Sequence, residues 1–310
     1  MAKQQQARQE IKQESLYLDD DGHQLHLRHI YGDQLGTPIL MLHGTVENGK
    51  IFYTDSGKGL ACFLAEQGFN VFVADFRGRG KSVPNVAERN DHGQLESIQR
   101  DIPAFLKFVF AKTNQPAHLI CHSWGGVLLA SCLARYPENL DYVRSKICFG
   151  TKRTISVKSV EKWFKLDLFW HWLAPKLSKK TGYFDAVSKK LGADNETRIS
   201  VQDISAWVKQ GKWRDRIDDF DYQQAAQSIT WPPTWHITGV NDKLMGHQRD
   251  VKRFIEETNN QAAKFSLLSR SAGNHFDYDH INILTHPKAR DDHFPELIKW
   301  LKNYEEAMSD

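Results

Sequence analysis

The stretch HLICHSWGG, residues His118 to Gly126, sets a buried β-like run directly against the start of a helix, with Ser123 at the junction. A serine on such a turn is lifted to the C-terminal edge of a parallel sheet, where open α/β folds bind their ligands. The turn demands small residues two positions before and after the serine. Gly125 meets that demand downstream, and Cys121 stands upstream where glycine is usual. The helix that follows aims its first amides and its dipole at the site, which favours developing negative charge. Ser123 equally suits the N-cap of a helix over GGVLLASCLARY. The rest of the chain has to decide between cap and nucleophile.

Outward from this turn, the chain reads as strands alternating with helices. SLYL (15–18) and QLHLRHI (24–30) alternate around the turn DDDGH, and PILMLHG (38–44) is a continuous apolar run of the buried parallel kind. A helical pattern near 55–67, the strand NVFVADF (70–76) and a helix from about Leu95 to Lys112 lead to the Ser123 strand. VRSKICFG (143–150) follows, then TWHITG (234–239) and KFSLLS (264–269) with a helix between them, and a closing helix PELIKWLKNYEEA (295–307). This alternation predicts βαβ units and a mostly parallel, doubly wound sheet. It breaks between residues 152 and 231, which carry aromatic, Lys-rich helical patterns and no comparable strand. The expected organisation is a polar N-terminal extension (1–14), a core of 15–151 and 232–310, and a helical insertion of 152–231.

The chain has 310 residues, 40% of them hydrophobic, enough for a large core. Its 41 basic and 38 acidic residues give a net charge of +3, so no chain-wide field points to nucleic acid. The polar start lacks the apolar core of a secretory signal, and no run approaches the roughly 20 apolar residues of a membrane span, so a cytoplasmic protein is expected. Cys62, Cys121, Cys132 and Cys148 form no CxxC pair and read as small core residues.

A nucleophilic serine needs a base and an acid that orients it, in the chain order Ser, Asp or Glu, His for this architecture. TWHITG ends in VND, which puts Asp242 beyond a strand end on the same sheet edge; a turn or N-cap aspartate is the alternative. RSAGNHFDYDHINIL then offers His275 and His280. Taken together, LHG (42–44), DFRGRGKS (75–82), CHSWGG, GVND and DYDHINIL resemble an α/β-hydrolase of the lipase and esterase type. The resemblance covers residues 15 to 305 apart from the insertion. It implies an α/β-hydrolase fold with a helical cap inserted after the sixth strand. It favours His280 as the base, because His280, Ile283, Leu284 and Ala289 fall in the family's register, with His275 as runner-up. It also implies an oxyanion hole from the backbone N–H groups of Trp124 and Thr45, with His43 and Gly44 shaping the loop.

DFRGRGKS does not meet the P-loop spacing, and the resemblance makes Asp75 and Arg77 braces for neighbouring loops. Residues 152–192 hold ten Lys or Arg against three acidic residues, interleaved with aromatics. Trp163, Phe169 and Trp170 are candidates to line an acyl pocket, though such rings also pack a cap onto its body. A basic, aromatic surface of this kind could touch anionic lipid. Nucleic-acid binding lacks a recognisable module.

The expected activity is a serine hydrolase acting on a small-molecule carboxylic ester, with no metal or organic cofactor required. The same machinery could serve an acyltransferase, a thioesterase or an amidase or peptidase, and a binding module with a vestigial triad is the reading from another class. Oligomeric state is not written in the sequence.

Overall fold

The computed structural model describes residues 10–157, 178–179 and 181–306. Eight strands form one sheet: β1 (Lys12–Asp20), β2 (His23–Tyr31), β3 (Pro38–Leu42), β4 (Asn70–Asp75), β5 (Ala117–His122), β6 (Val143–Phe149), and, past the two-residue strands β7 (Tyr183–Phe184) and β8 (Glu196–Thr197), β9 (Thr234–Gly239) and β10 (Lys264–Leu268). Their order is β1-β2-β4-β3-β5-β6-β9-β10. β1 and β2 pair antiparallel, as do β2 and β4, and every later pairing is parallel.

The physical reason for the apolar runs is visible in burial. Every residue of β3, β4 and β5 is buried, because helices cover both faces. Alternate residues serve opposite cores: Leu40, Leu42, Leu119 and Cys121 join Phe72, Phe105 and Leu129 on one side. Ile39, Met41 and Ile120 join Phe52, Tyr53 and Leu301 on the other. All four cysteines are buried and unpaired. Among the described residues, no helix is long and apolar enough to cross a membrane.

Two boundaries differ from the sequence reading. β1 begins at Lys12, inside the stretch read as a polar extension, because an edge strand whose residues are all exposed or half-buried needs few apolar ones. The helix read as continuous from Leu95 is instead Gln94–Glu96, a π-turn Ser97–Asp101 and a helix Ile102–Thr113. The Ile102 N–H donates to Ser97 O, five residues back, and Pro103 has no N–H with which to restore the α-helical register.

In the 152–231 region, the helices Arg198–Gln210 and Tyr222–Ser228 join the hairpin β7–β8. Trp207, Trp213 and Tyr222 pack into the same core as the helix Trp124–Arg135. Trp213 Nε1 donates to Ser131 Oγ at 3.1 Å. The described aromatics of this region therefore hold it against the body.

Candidate active site

Ser123 lies between β5 and its helix with φ 51° and ψ −124°, a conformation costly for any residue with a Cβ. Surrounding contacts impose it. The Ser123 N–H donates to Phe149 O at 2.8 Å, and Gly126 N donates back to Ser123 O at 3.2 Å. A Cβ on Gly125 would meet His43 O at 2.3 Å, which is why the downstream small residue has to be glycine. Upstream, Cys121 is fully buried in the core beneath the turn.

Asp242 follows β9 and His280 follows β10, so two loops on the same sheet edge carry them to Ser123. His280 Nε2 lies 2.9 Å from Ser123 Oγ, and His280 Nδ1 lies 2.5 Å from Asp242 Oδ2. The other carboxylate oxygen, Oδ1, accepts the Gly246 N–H at 2.7 Å. Burial works to raise the Asp242 carboxyl, but the charge and hydrogen bond of His280, the Gly246 N–H and the nearby Lys152 outweigh it and hold it below its ordinary value. Asp242 is thus an ionised, aimed acceptor that fixes the proton of His280 on Nδ1 and leaves Nε2 to receive one. His275 is exposed, and its backbone N–H binds Asp292 Oδ2 at 2.9 Å; the structure does not bring it to Ser123.

Thr45 and Trp124, the residues expected to offer two backbone amides, line one cleft together with Gly44, Phe76, Gln94, Leu128, Ser200 and Ile204. Among the described residues neither amide is committed to an acceptor. His43 supports this loop as a turn residue. Its Nε2 accepts the Phe76 N–H at 3.2 Å, so Nδ1 carries the proton donated to Gly44 O at 2.8 Å. Asp75 braces three segments through Gly49 N, Lys81 N and His26, and Arg77 binds Asp101 and Asp20. Trp163, Phe169 and Trp170 lie outside the described residues, as do five of the ten basic residues behind the expected anionic-lipid contact.

Sequence reasoning missed a second charged pair directly beneath the site. Glu47 Oε2 accepts both the Gly44 N–H at 2.9 Å and His122 Nδ1–H at 2.8 Å, and His122 Nε2–H donates to the backbone O of His280 at 2.9 Å. Both acceptors are obligate, so His122 carries two protons. Burial alone would raise Glu47 and lower His122. The charge and hydrogen bond between them win, taking Glu47 down to about 2 and His122 above its ordinary value. One ion pair thereby ties the Gly44 loop to the backbone of His280. Glu47 comes from an otherwise polar loop, and nothing in VENG signals the contact.

Residues 37–271 match the family Hydrolase_4 (Serine aminopeptidase, S33). A segment of 96 residues is 31% identical to Sterol esterase 2 of Saccharomyces cerevisiae, covering 28% of this chain and 18% of that protein, so less than a fifth of this curated relative is matched. Among solved structures, a soluble variant of monoglyceride lipase from Saccharomyces cerevisiae superposes with a TM-score of 0.68 at 16% identity, covering 98% of each chain. A Paleococcus ferrophilus monoacylglycerol lipase does so with a TM-score of 0.59 at 16% identity, over 90% of this chain and 99% of that one. The two solved structures show a shared overall fold. With most of its 310 residues inside one family match, the chain belongs to the Hydrolase_4 family of α/β-hydrolases.

Proposed function

We propose that this protein is a serine hydrolase that cleaves a carboxylic ester of a small molecule through an acyl-enzyme. The observation that carries this reading is the continuous relay from Ser123 Oγ through both nitrogens of His280 to Asp242. Ser123 Oγ attacks the acyl carbon while its proton passes to His280 Nε2. Asp242 stabilises the imidazolium, and the N–H groups of Thr45 and Trp124 receive the oxyanion. As the tetrahedral intermediate collapses, the C–O bond breaks and His280 returns the proton to the leaving alcohol. Water, activated by the same histidine, then attacks the acyl-enzyme, releases the acid and restores Ser123.

The family's description names an aminopeptidase, which requires a free carboxylate to hold the substrate's α-ammonium. The one carboxylate bordering the cleft among the described residues, Glu196, is buried and paired with Arg79, a pairing that favours an ester over a peptide. The sterol esterase and lipase relatives support the same choice. Residues 152–231 are assigned as the cap, since Glu196, Ser200 and Ile204 close one side of the cleft. A cytoplasmic setting belongs to this reading, supported by four unpaired cysteines.

The test is a panel of p-nitrophenyl esters of rising acyl length, the matching anilides, and one ester with an added alcohol acceptor. Esters are expected to turn over at least a hundredfold faster than anilides, with free acid as the product even when the alcohol is present. Faster anilide cleavage would transfer the assignment to a peptidase, and a dominant transester product would make it an acyltransferase.

A further inference from the structure

Among the described residues, two buried histidines remote from the triad have no hydrogen-bond partner for either ring nitrogen. His23 opens β2, and His92 lies in the loop before Gln94–Glu96; each is 2% exposed, and their rings meet edge-on at 5.2 Å. Among the described residues, none of their four ring nitrogens has a hydrogen-bond partner. Buried polar atoms are normally satisfied, and each orphan costs about 1–3 kcal/mol. Among the described residues His118, His236 and His293 each have one such orphan nitrogen and only His23 and His92 have two; His26, bonded to Asp75 and Ser15, and His29, bonded to Glu14 and Asn70, have none. Beside the pair stands Asp91, and one donor atom from each of the three residues lies within 4.8 Å of the others. The Asp91 side chain is 65% exposed, which gives the cluster a route to solvent.

We propose that His23, His92 and Asp91 form a structural binding site for a divalent transition ion, with zinc as the best match. Two imidazole nitrogens and one carboxylate oxygen suit zinc, whereas magnesium and calcium want oxygen donors. Zinc–ligand distances near 2.0–2.1 Å place tetrahedral donors about 3.3 Å apart, so the three side chains close on one another by rotamer-scale movement. A solvent molecule completes the four positions. The surrounding guanidinium groups are each matched by a carboxylate: Arg77 by Asp20 and Asp101, Arg79 by Glu196, and Arg89 by Asp91 itself. The Asp91 carboxylate accepts the Arg89 Nε–H, at 3.0 and 3.3 Å, and its two oxygens keep lone pairs for an ion.

The consequence is mechanical. The His92 carbonyl accepts the Thr197 hydroxyl at 2.7 Å, and Thr197 caps the helix Arg198–Gln210 that borders the cleft. An ion on His92 and His23 joins β2 to the loop on which that helix rests. It stabilises this part of the protein and takes no part in the chemistry of Ser123.

The test uses the full chain stripped with a chelator and titrated with zinc alone. One equivalent is expected to bind, and the thermal midpoint is expected to rise by about 4 °C at a hundredfold excess over the dissociation constant. Cobalt is expected to give the visible absorption of a four-coordinate site. His23→Phe and His92→Phe fill the space without donor nitrogens and lose both the binding and the shift. Asp91→Asn, on an exposed side chain that leaves folding intact, weakens binding at least tenfold. His275→Ala changes nothing. Absence of stoichiometric binding, or binding that survives Asp91→Asn and either phenylalanine variant unchanged, overturns the proposal and leaves the four nitrogens to water.

Discussion

His280→Ala is expected to lower kcat/KM for a p-nitrophenyl ester by roughly 10⁵-fold, while His275→Ala leaves it within about twofold. The contrast follows from position. His280 holds Ser123 Oγ at 2.9 Å on one nitrogen and Asp242 at 2.5 Å on the other, so its loss leaves the hydroxyl without a base and the leaving alcohol without an acid. The residual rate is what the oxyanion amides and substrate positioning supply. His275 is exposed and lies five residues upstream, where its backbone serves Asp292. Asp242→Asn is expected to fall between the two, because an amide keeps the bond but permits the wrong imidazole tautomer. Steady-state kinetics on the three variants check this ordering; comparable losses in His275→Ala and His280→Ala would refute it.

Glu47→Gln is expected to cost roughly 3 kcal/mol of folding stability, and the cost is expected to depend on pH. Glutamine keeps an acceptor for Gly44 N and His122 Nδ1 but removes the charge, leaving His122 fully buried without its counter-ion. The native Glu47 carboxyl is depressed, so its contribution is present above about 4.5 and lost as pH falls towards about 2. The native His122 is raised, so its contribution is complete below about 6.5 and lost as pH rises through its higher native value. The deficit of the variant relative to wild type is therefore largest between about pH 4.5 and 6.5 and narrows on both sides. Urea denaturation of both proteins across pH 3–9 measures it, and a deficit independent of pH would show that the pair carries no charge. Activity should fall with stability, since the same pair fixes the Gly44 loop and the His280 backbone.

The eight strands were legible because burial on both faces leaves apolar runs such as PILML and NVFVAD, and their spacing by helices dictates a parallel sheet. The start of β1, the two-residue strands β7 and β8 and the π-turn escaped, the first because an edge strand tolerates polar residues, the second because strands so short leave no pattern, the third because Pro103 acts through a missing N–H that no periodicity records. Around Ser123, the turn and the order of Asp242 and His280 could be expected from sequence, and the Thr45 and Trp124 amides were implied by resemblance alone. The choice between His275 and His280 could not be made from spacing alone, and it came from resemblance; the distances are what separate them. Glu47 and His122 stayed hidden because their contact spans 75 residues and two loops. His23 and His92 were silent for the same reason, being 69 residues apart in sequence and neighbours only once β2 is laid down.

Ser123 is proposed as a nucleophile activated by His280. The most direct measurement is the intact mass of the full chain after reaction with a fluorophosphonate, followed by mapping of the modified peptide. A single adduct on Ser123, formed rapidly by wild type and by His275→Ala, slowed by orders of magnitude in His280→Ala and absent in Ser123→Ala, is the predicted result. No adduct on wild type, or an adduct that persists in Ser123→Ala, would contradict it.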